Sequence, residues 1–249
     1  MSLPREIKYL RPIGFINGII AQSMSEDGLA VLLAGGPIAF LYVEIIFREE
    51  SGLFGNHICS IKDLKNKNSN LSDINLCLVF DFLENISQNK KLCLGPKLKT
   101  FTDNPIVMGV VNVTPDSFSD SDFSYNLDSA ISQAFELYNS GADIIDVGGE
   151  STRPGATPVS DEEEIKRVLP VVDKLVDAGI PVSIDTRKSI VMTKAITAGV
   201  SLVNDVSAFT YDPKSLGVVA NSKVGIVLMH MQGVPETMQT APKYDNGVV

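Results

Sequence analysis

The sequence predicts an α/β fold: a (β/α)8 barrel of TIM type, with about five βα units present, behind a small strand-rich N-terminal segment. Two observations carry this reading. Short Val/Ile-rich runs without alternation recur through the second half, at Ile106–Val111, Asp143–Val147, Val182–Ile184, Ser201–Val203 and Val224–Leu228; such runs are what strands buried on both faces look like. Each run stops abruptly in polar, turn-forming residues, and helix-like stretches separate the runs, as in βα folds that gather chemistry at strand ends. A doubly wound sheet is the alternative, but no G-x-G-x-x-G follows the first run.

Residues 1–97 read as an N-terminal extension whose role the residues do not disclose. Its most apolar stretch, Leu29–Phe47, nears the length of a membrane span. Gly35-Gly36-Pro37 breaks it and Glu44 sits within it, so two buried strands joined by a turn describe it better. Residues 62–75 are polar and Asn-rich, as in an exposed loop, and Cys77–Phe82 reads as a further short strand. His57, Cys59, Cys77 and Cys93 match no zinc spacing, which leaves the cysteines as small buried apolar residues.

Residues 98–249 read as a partial barrel. After the first strand, Leu127, Ala130, Ile131, Ala134, Leu137 and Tyr138 form one stripe of a helix over 127–140 that Gly141 stops. The next helix opens on a capping box, Ser160-x-x-Glu163, and runs to Gly179. A third ends at Gly199, and Asp212-Pro213 starts a fourth, with Asp212 as N-cap.

The net charge of −9 lies wholly in residues 105–249, because residues 1–104 carry equal numbers of acidic and basic side chains. An acidic surface excludes nucleic acid and anionic membrane as partners. Three cysteines form an odd set and no signal peptide opens the chain, which points to a reducing cytoplasm. Self-association as a homodimer is left open.

Asp185 ends the third strand run, where a carboxylate can accept two parallel hydrogen bonds from a flat heterocycle; as N-cap of the following helix it would serve structure instead. Asn204 ends the fourth run, and its amide can both donate and accept; Asp205 beside it is an alternative ligand or a cap. Met229 and His230 end the fifth run: the thioether suits a ring face, and the imidazole is either a base or a hydrogen-bonded structural group. Asn112 ends the first run, as a turn residue or an oxygen ligand.

N-V-T-P-D-S-F-S-D at 112–120 and, about 30 residues on, G-G-E-S-T-R-P-G at 148–155 together resemble the dihydropteroate synthases of folate biosynthesis, a resemblance that runs from Asn104 onward. The family is built on barrels, in agreement with the pattern above. The resemblance implies a transferase that condenses 6-hydroxymethyl-7,8-dihydropterin diphosphate with p-aminobenzoate and releases pyrophosphate. By it, Asp185 and Asn204 bind the pterin, Met229 lines its face, Asn112 is a ligand of Mg²⁺, and Thr152 contacts the diphosphate. Phe118, Arg153 and Pro154 make the pocket for the p-aminobenzoate ring, with Asp185 and Arg153 carrying catalysis, and Glu150 holds the second loop. Three family segments that follow strands six, seven and eight and supply much of the cationic environment for pyrophosphate are not in this sequence, so little or no synthase activity is expected of these 249 residues. The rival readings are a pterin-binding methyltransferase domain, which the E-S-T-R-P-G loop argues against, and a non-catalytic pterin-binding module.

Overall fold

A computed structural model describes residues 6–48, 54–66, 75–89, 91–94, 97–100, 105–114, 123–151, 158–235, 237–239 and 241–244. The chain divides into two compact units, one of Met1–Lys91 with Thr100–Asn104 and one of Leu92–Lys99 with Pro105–Val249. Leu92–Lys99 thus group with the second unit, although the sequence reading ended the extension at 97.

The first unit runs β1 (Glu6–Asn17), α1 (Gly18–Glu26), β2 (Val31–Leu32), β3 (Ile38–Arg48), β4 (Phe54–Ser60), α2 (Ile61–Lys65) and α3 (Leu76–Ser87). Strand β3 is the hub of an antiparallel sheet, pairing with β1, β2 and β4. The apolar stretch 29–47 is therefore two strands about a Gly-Gly-Pro turn, closed by the Leu33 N–H on the Ile38 carbonyl at 2.8 Å. Phe40, Val43, Ile45, Cys59, Ile61, Leu64, Val79 and Leu83 form the core. Glu44 is nearly buried and is held by Arg11 Nε at 2.7 Å and Asn56 Nδ2 at 2.8 Å.

The strand expected at Cys77–Phe82 is instead part of helix α3. Asn75 Oδ1 accepts the Cys77 N–H at 3.2 Å and starts the helix. Val79 and Leu83, four apart, are the buried pair, so one stripe meets the core, whereas a strand would bury alternate residues. The same stripe leaves Cys77 exposed, against the expectation of buried cysteines; Cys59 is buried.

The second unit holds a two-stranded sheet of β5 (Lys91–Leu94) and β6 (Lys97–Thr100), then β7 (Met108–Asn112), α4 (Phe123–Asn139), β8 (Ile144–Gly148), α5 (Asp161–Asp177), β9 (Val182–Asp185), α6 (Ser189–Ala198), β10 (Leu202–Asp205), α7 (Ser215–Ala220) and β11 (Gly225–Leu228). Strands β7 to β11 pair in parallel in sequence order. Sequential order without a reversal is the path of a barrel wall; a doubly wound sheet changes direction partway. The five strands and the four helices between them are thus a segment of a (β/α)8 barrel; among the described residues no helix follows β11, so four βα units are complete where about five were expected.

Side-chain alternation divides the sheet into two faces. Val111, Val147, Ile184 and Val203 lie in one register row, all wholly buried against Ala130 and Ala134 of α4, Val168, Val171 and Leu175 of α5, and Val191 and Met192 of α6. On the other face, at the strands' N-terminal ends, Met108, Ile144 and Leu202 cluster with Leu92, Leu94 and Ile106. A Cβ on Gly225 would lie 2.6 Å from Leu92 Cδ1, so this end is closely packed.

The helix limits follow from local chemistry. Ser160 Oγ accepts the Glu163 N–H at 3.2 Å, the expected cap of α5, but Glu163 Oε1 takes Arg167 Nε at 2.9 Å, so the reciprocal half of a capping box is not made. Gly141, Gly179 and Gly199 adopt φ of +112°, +73° and +105°, left-handed positions that stop helices without a Cβ penalty. Asp212 departs from expectation. Its Oδ1 takes the Lys214 N–H, but its Oδ2 takes the Ser189 N–H, each at 2.9 Å, so it caps the start of α6 while α7 begins only at Ser215. Among the described residues no helix is long and apolar enough to cross a membrane.

Candidate active site

Five parallel strands share one C-terminal rim. Register places Asn112, Gly148, Asp185 and Asn204 in a single row there, on the face turned away from the helices. The row beneath, on the same face, is Val110, Asp146, Ser183 and Leu202. Three of the expected site residues therefore converge through strand pairing alone.

Gly148 opens the space between two of them. A Cβ there would lie 3.4 Å from Asn112 Oδ1 and 3.6 Å from Asp185 Oδ2, so the missing side chain leaves a small cradle faced by oxygens. Asp185 does not cap α6, whose first amide belongs to Asp212. Burial first, and then the charges of Asp146, Glu164, Asp205 and Glu150, together push the Asp185 carboxyl up to about 7. A site that raises a carboxylate so far favours positive charge in whatever binds beside it.

Sequence reasoning passed over Asp146. It is 3% exposed and accepts a hydrogen bond from Asn204 Nδ2 at 3.0 Å, across the intervening strand β9. Burial raises its carboxyl, with Ser183 and Asn204 opposing. The signal was present: an acid inside D-I-I-D-V-G-G, two residues before Gly148 and so on the same face.

A second charged group lies buried around Glu150, just past the end of β8. Glu150 takes Arg187 Nη2 at 2.6 Å, Lys188 Nζ at 2.7 Å and the Val159 N–H at 3.0 Å. Lys188 is shared with Glu164 at 2.7 Å, and the Arg187 guanidinium lies 4.1 Å from the ring centre of Tyr211. Burial pushes the Glu150 carboxyl up, but the bonds from Lys188 and Val159 and the charges of Lys188 and Arg187 leave it below its ordinary value. Lys188 is raised in turn: burial lowers it, and its bonds to Glu150 and Glu164 more than offset that. Arg167 Nη1 also donates to the Gly149 carbonyl at 3.0 Å. Both ends of the loop, at Gly149–Glu150 and at Val159, are thus anchored to α5 and to the segment between β9 and α6.

Asp205 builds the turn after β10. Its carboxylate takes the Ser207 N–H and hydroxyl, both at 2.7 Å, and the Phe209 N–H at 3.0 Å, which supports positive φ at Ala208 and Phe209. Met229 follows β11, its N–H on the Asp205 carbonyl at 3.2 Å. His230 Nε2 lies 2.8 Å from the Tyr244 hydroxyl, which makes it a hydrogen-bonded group of that loop. Phe118, Thr152, Arg153 and Pro154 lie outside the described residues. Among the described residues no three His, Cys, Asp or Glu side chains are grouped as a metal site.

A parallel βα barrel segment with acidic and amide oxygens at its strand ends defines a small-molecule site of the barrel-enzyme class. The chain belongs to the pterin-binding enzyme family, whose pattern matches residues 108–249. It is 47% identical over 148 residues to the dihydropteroate synthase of Neisseria meningitidis serogroup B, covering 59% of this chain and 52% of that one. It is 45% identical over 146 residues to that of Bacillus subtilis, covering 58% and 51%. Among solved structures, Xanthomonas albilineans dihydropteroate synthase with 4-aminobenzoic acid superposes with a TM-score of 0.55 at 45% identity, over 64% of this chain and 55% of that one. The Burkholderia cenocepacia enzyme complexed with 7,8-dihydropteroate gives 0.53 at 41% identity, over 63% and 52%. The chain spans about half the length of the curated relatives it matches.

Proposed function

We propose that this chain carries the pterin-binding part of a dihydropteroate synthase site, for the condensation of 6-hydroxymethyl-7,8-dihydropterin diphosphate with p-aminobenzoate. The observation that carries the reading is the strand-end row of Asn112, Asp185 and Asn204, with four further acids near enough to raise the Asp185 carboxyl. Asp185 accepts the adjacent N–H donors of the aminopyrimidinone edge, and Asn204 meets a further part of the ring. The methylene C–O bond breaks with its electron pair leaving on pyrophosphate, and the ring carries the developing positive charge. The acids around Asp185 stabilise that charge electrostatically. The aniline nitrogen then forms the C–N bond and gives up a proton. Phe118, Arg153 and Pro154 hold the p-aminobenzoate ring, Thr152 the diphosphate, and Met229 the pterin face, with proximity supplying much of the acceleration. The Glu150–Arg187–Lys188 cluster supports this assignment by anchoring the loop that bears Thr152 and Arg153.

The residues fit a hard divalent cation such as Mg²⁺, because Asn112 Oδ1 and Asp185 Oδ2 both face the space over Gly148, and Mg²⁺ takes few protein ligands beside water and phosphate. Bound there, Mg²⁺ would act as a Lewis acid toward the departing diphosphate. The unpaired Cys59 and Cys77 support a cytoplasmic location. Titration calorimetry with the pterin diphosphate and Mg²⁺ tests the assignment. Binding by the wild-type chain that Asp185→Ala weakens by about a hundredfold, the loss expected for two charge-assisted hydrogen bonds, is the predicted result. Equal binding by both chains would refute the placement of the ring on Asp185.

A further inference from the structure

We infer that Asp146 is a specificity-determining positioning residue: it fixes the side-chain amide of Asn204 in one orientation and thereby sets which edge of a heterocycle the site accepts. The inference rests on the pterin reading above and adds a residue that does not itself touch the ring.

Asn204 is the penultimate residue of β10 and Asp146 lies in mid-β8, with β9 between them. Asn204 pairs in register with Asp185, and Asp146 with Ser183, so the hydrogen bond from Asn204 Nδ2 to Asp146 Oδ2 runs diagonally downward across the sheet face. A carboxylate oxygen can only accept. The amide nitrogen must therefore point down at Asp146, and Oδ1 is left to the upper side, beside Asp185. Asp146 Oδ1 has no hydrogen-bond partner among the described residues, so a proton bound there would leave Oδ2 an acceptor. At 3% exposure, water cannot readily replace the contact.

An unrestrained asparagine could turn its amide over and offer N–H where it now offers oxygen. The Asp146 contact removes that choice. The rim presents the Asp185 carboxylate and the Asn204 carbonyl side by side as acceptors, a pattern suited to ring N–H donors and hostile to bare ring nitrogens. A dihydropterin carries a ring N–H that the fully oxidised pterin replaces with an acceptor nitrogen, so the reduced ring is the class of ligand this arrangement selects.

Two measurements decide it. In the unliganded protein, the Asn204 side-chain NH₂ resonances, assigned by their loss in Asn204→Ala, should show one proton protected from exchange, and Asp146→Ser should remove that protection. Rapid exchange of both protons in wild type overturns the inference whatever the protein binds. Second, the affinities for the 7,8-dihydropterin diphosphate and its oxidised counterpart are compared. Wild type should prefer the reduced ring, and Asp146→Ser should shrink the preference about tenfold, chiefly through improved binding of the oxidised ring. Asp146→Asn, which can still present an oxygen to Asn204, should restore part of it. Proportional weakening of both ligands would show that Asp146 merely supports the fold and would overturn the inference. Binding of neither ligand by wild type would instead refute the pterin reading, with the exchange measurement still deciding whether Asp146 holds Asn204.

Discussion

Asp212 Oδ2 accepts the backbone N–H of Ser189 at 2.9 Å, so an acid from the loop after β10 caps a helix that starts 23 residues earlier. This frees Asp185, the nearer acid, from a capping role. Asp212→Ala should cost about 1 kcal/mol of stability, the usual loss for a cap, read by urea denaturation. Asp212→Asn, which keeps an acceptor, should lose less. No loss in either variant would show that α6 starts without this contact.

Asp185 should be a liability to the fold above neutral pH. Its carboxyl is raised from 3.8 to about 7 in the folded chain, so the folded state holds the proton that the unfolded chain releases. Its contribution to stability therefore falls as pH rises from about 4 to about 7. Asp185→Asn, neutral throughout, should melt at the wild-type temperature near pH 4 and clearly above it at pH 8. An equal difference at both values would mean that the variant acts through packing.

Glu150 should matter more to stability than any exposed acid. It neutralises Arg187 and Lys188, both largely buried. Removing one partner of a buried cluster leaves charge uncompensated, and Glu150→Ala should cost about 3–5 kcal/mol by chemical denaturation. Because its carboxyl is held below the ordinary 4.5, the contribution is present above that value and lost as pH falls through the folded one. The gap between wild type and variant should accordingly close in acid.

The two adjacent glycines should separate fold from site. A Cβ at Gly149 would lie 2.7 Å from Val168 Cγ1 and 3.3 Å from the Glu164 carbonyl, so α5 must shift. Gly149→Ala should cost about 1–3 kcal/mol. At Gly148 the nearest atoms are 3.4 Å away or farther, so Gly148→Ala should fold with little loss yet weaken pterin diphosphate and Mg²⁺ binding by filling the oxygen-faced cradle. Comparable denaturation midpoints for the two variants would contradict this division.

The barrel segment is legible because its parallel strands are written as unbroken apolar runs, and the polar residues that end them are the rim; burial on both faces holds for β8 but not for β11, where Ile226, Val227 and Leu228 are exposed. Asn112, Asp185 and Asn204 could be picked out for that reason before any geometry. Alternation places Asp146 on the same face as Gly148, but it interrupts its run between Ile145 and Val147, and only pairing with β9 and β10 shows what it faces. Asp212 was assigned to the helix beside it, since its bond to Ser189 spans a separation that local capping rules do not see. Leu76–Phe82 is apolar at both strand and helix periods, and the packing of Val79 and Leu83 on one side decides between them. In the sequence Glu150 is visible only as a loop anchor; its partners, Val159 and the pair Arg187–Lys188, lie in two separate segments.

The central claim is that the Asp185 carboxylate receives the N–H edge of the pterin, and the most direct test is the carboxyl ¹³C resonance of Asp185 followed with pH. Without ligand it should titrate near 7. Saturation with the pterin diphosphate should bring its midpoint well below that value, because donated hydrogen bonds favour the charged form. A midpoint unchanged or raised by bound ligand would mean that the ring lies elsewhere, and would contradict the assignment of the site.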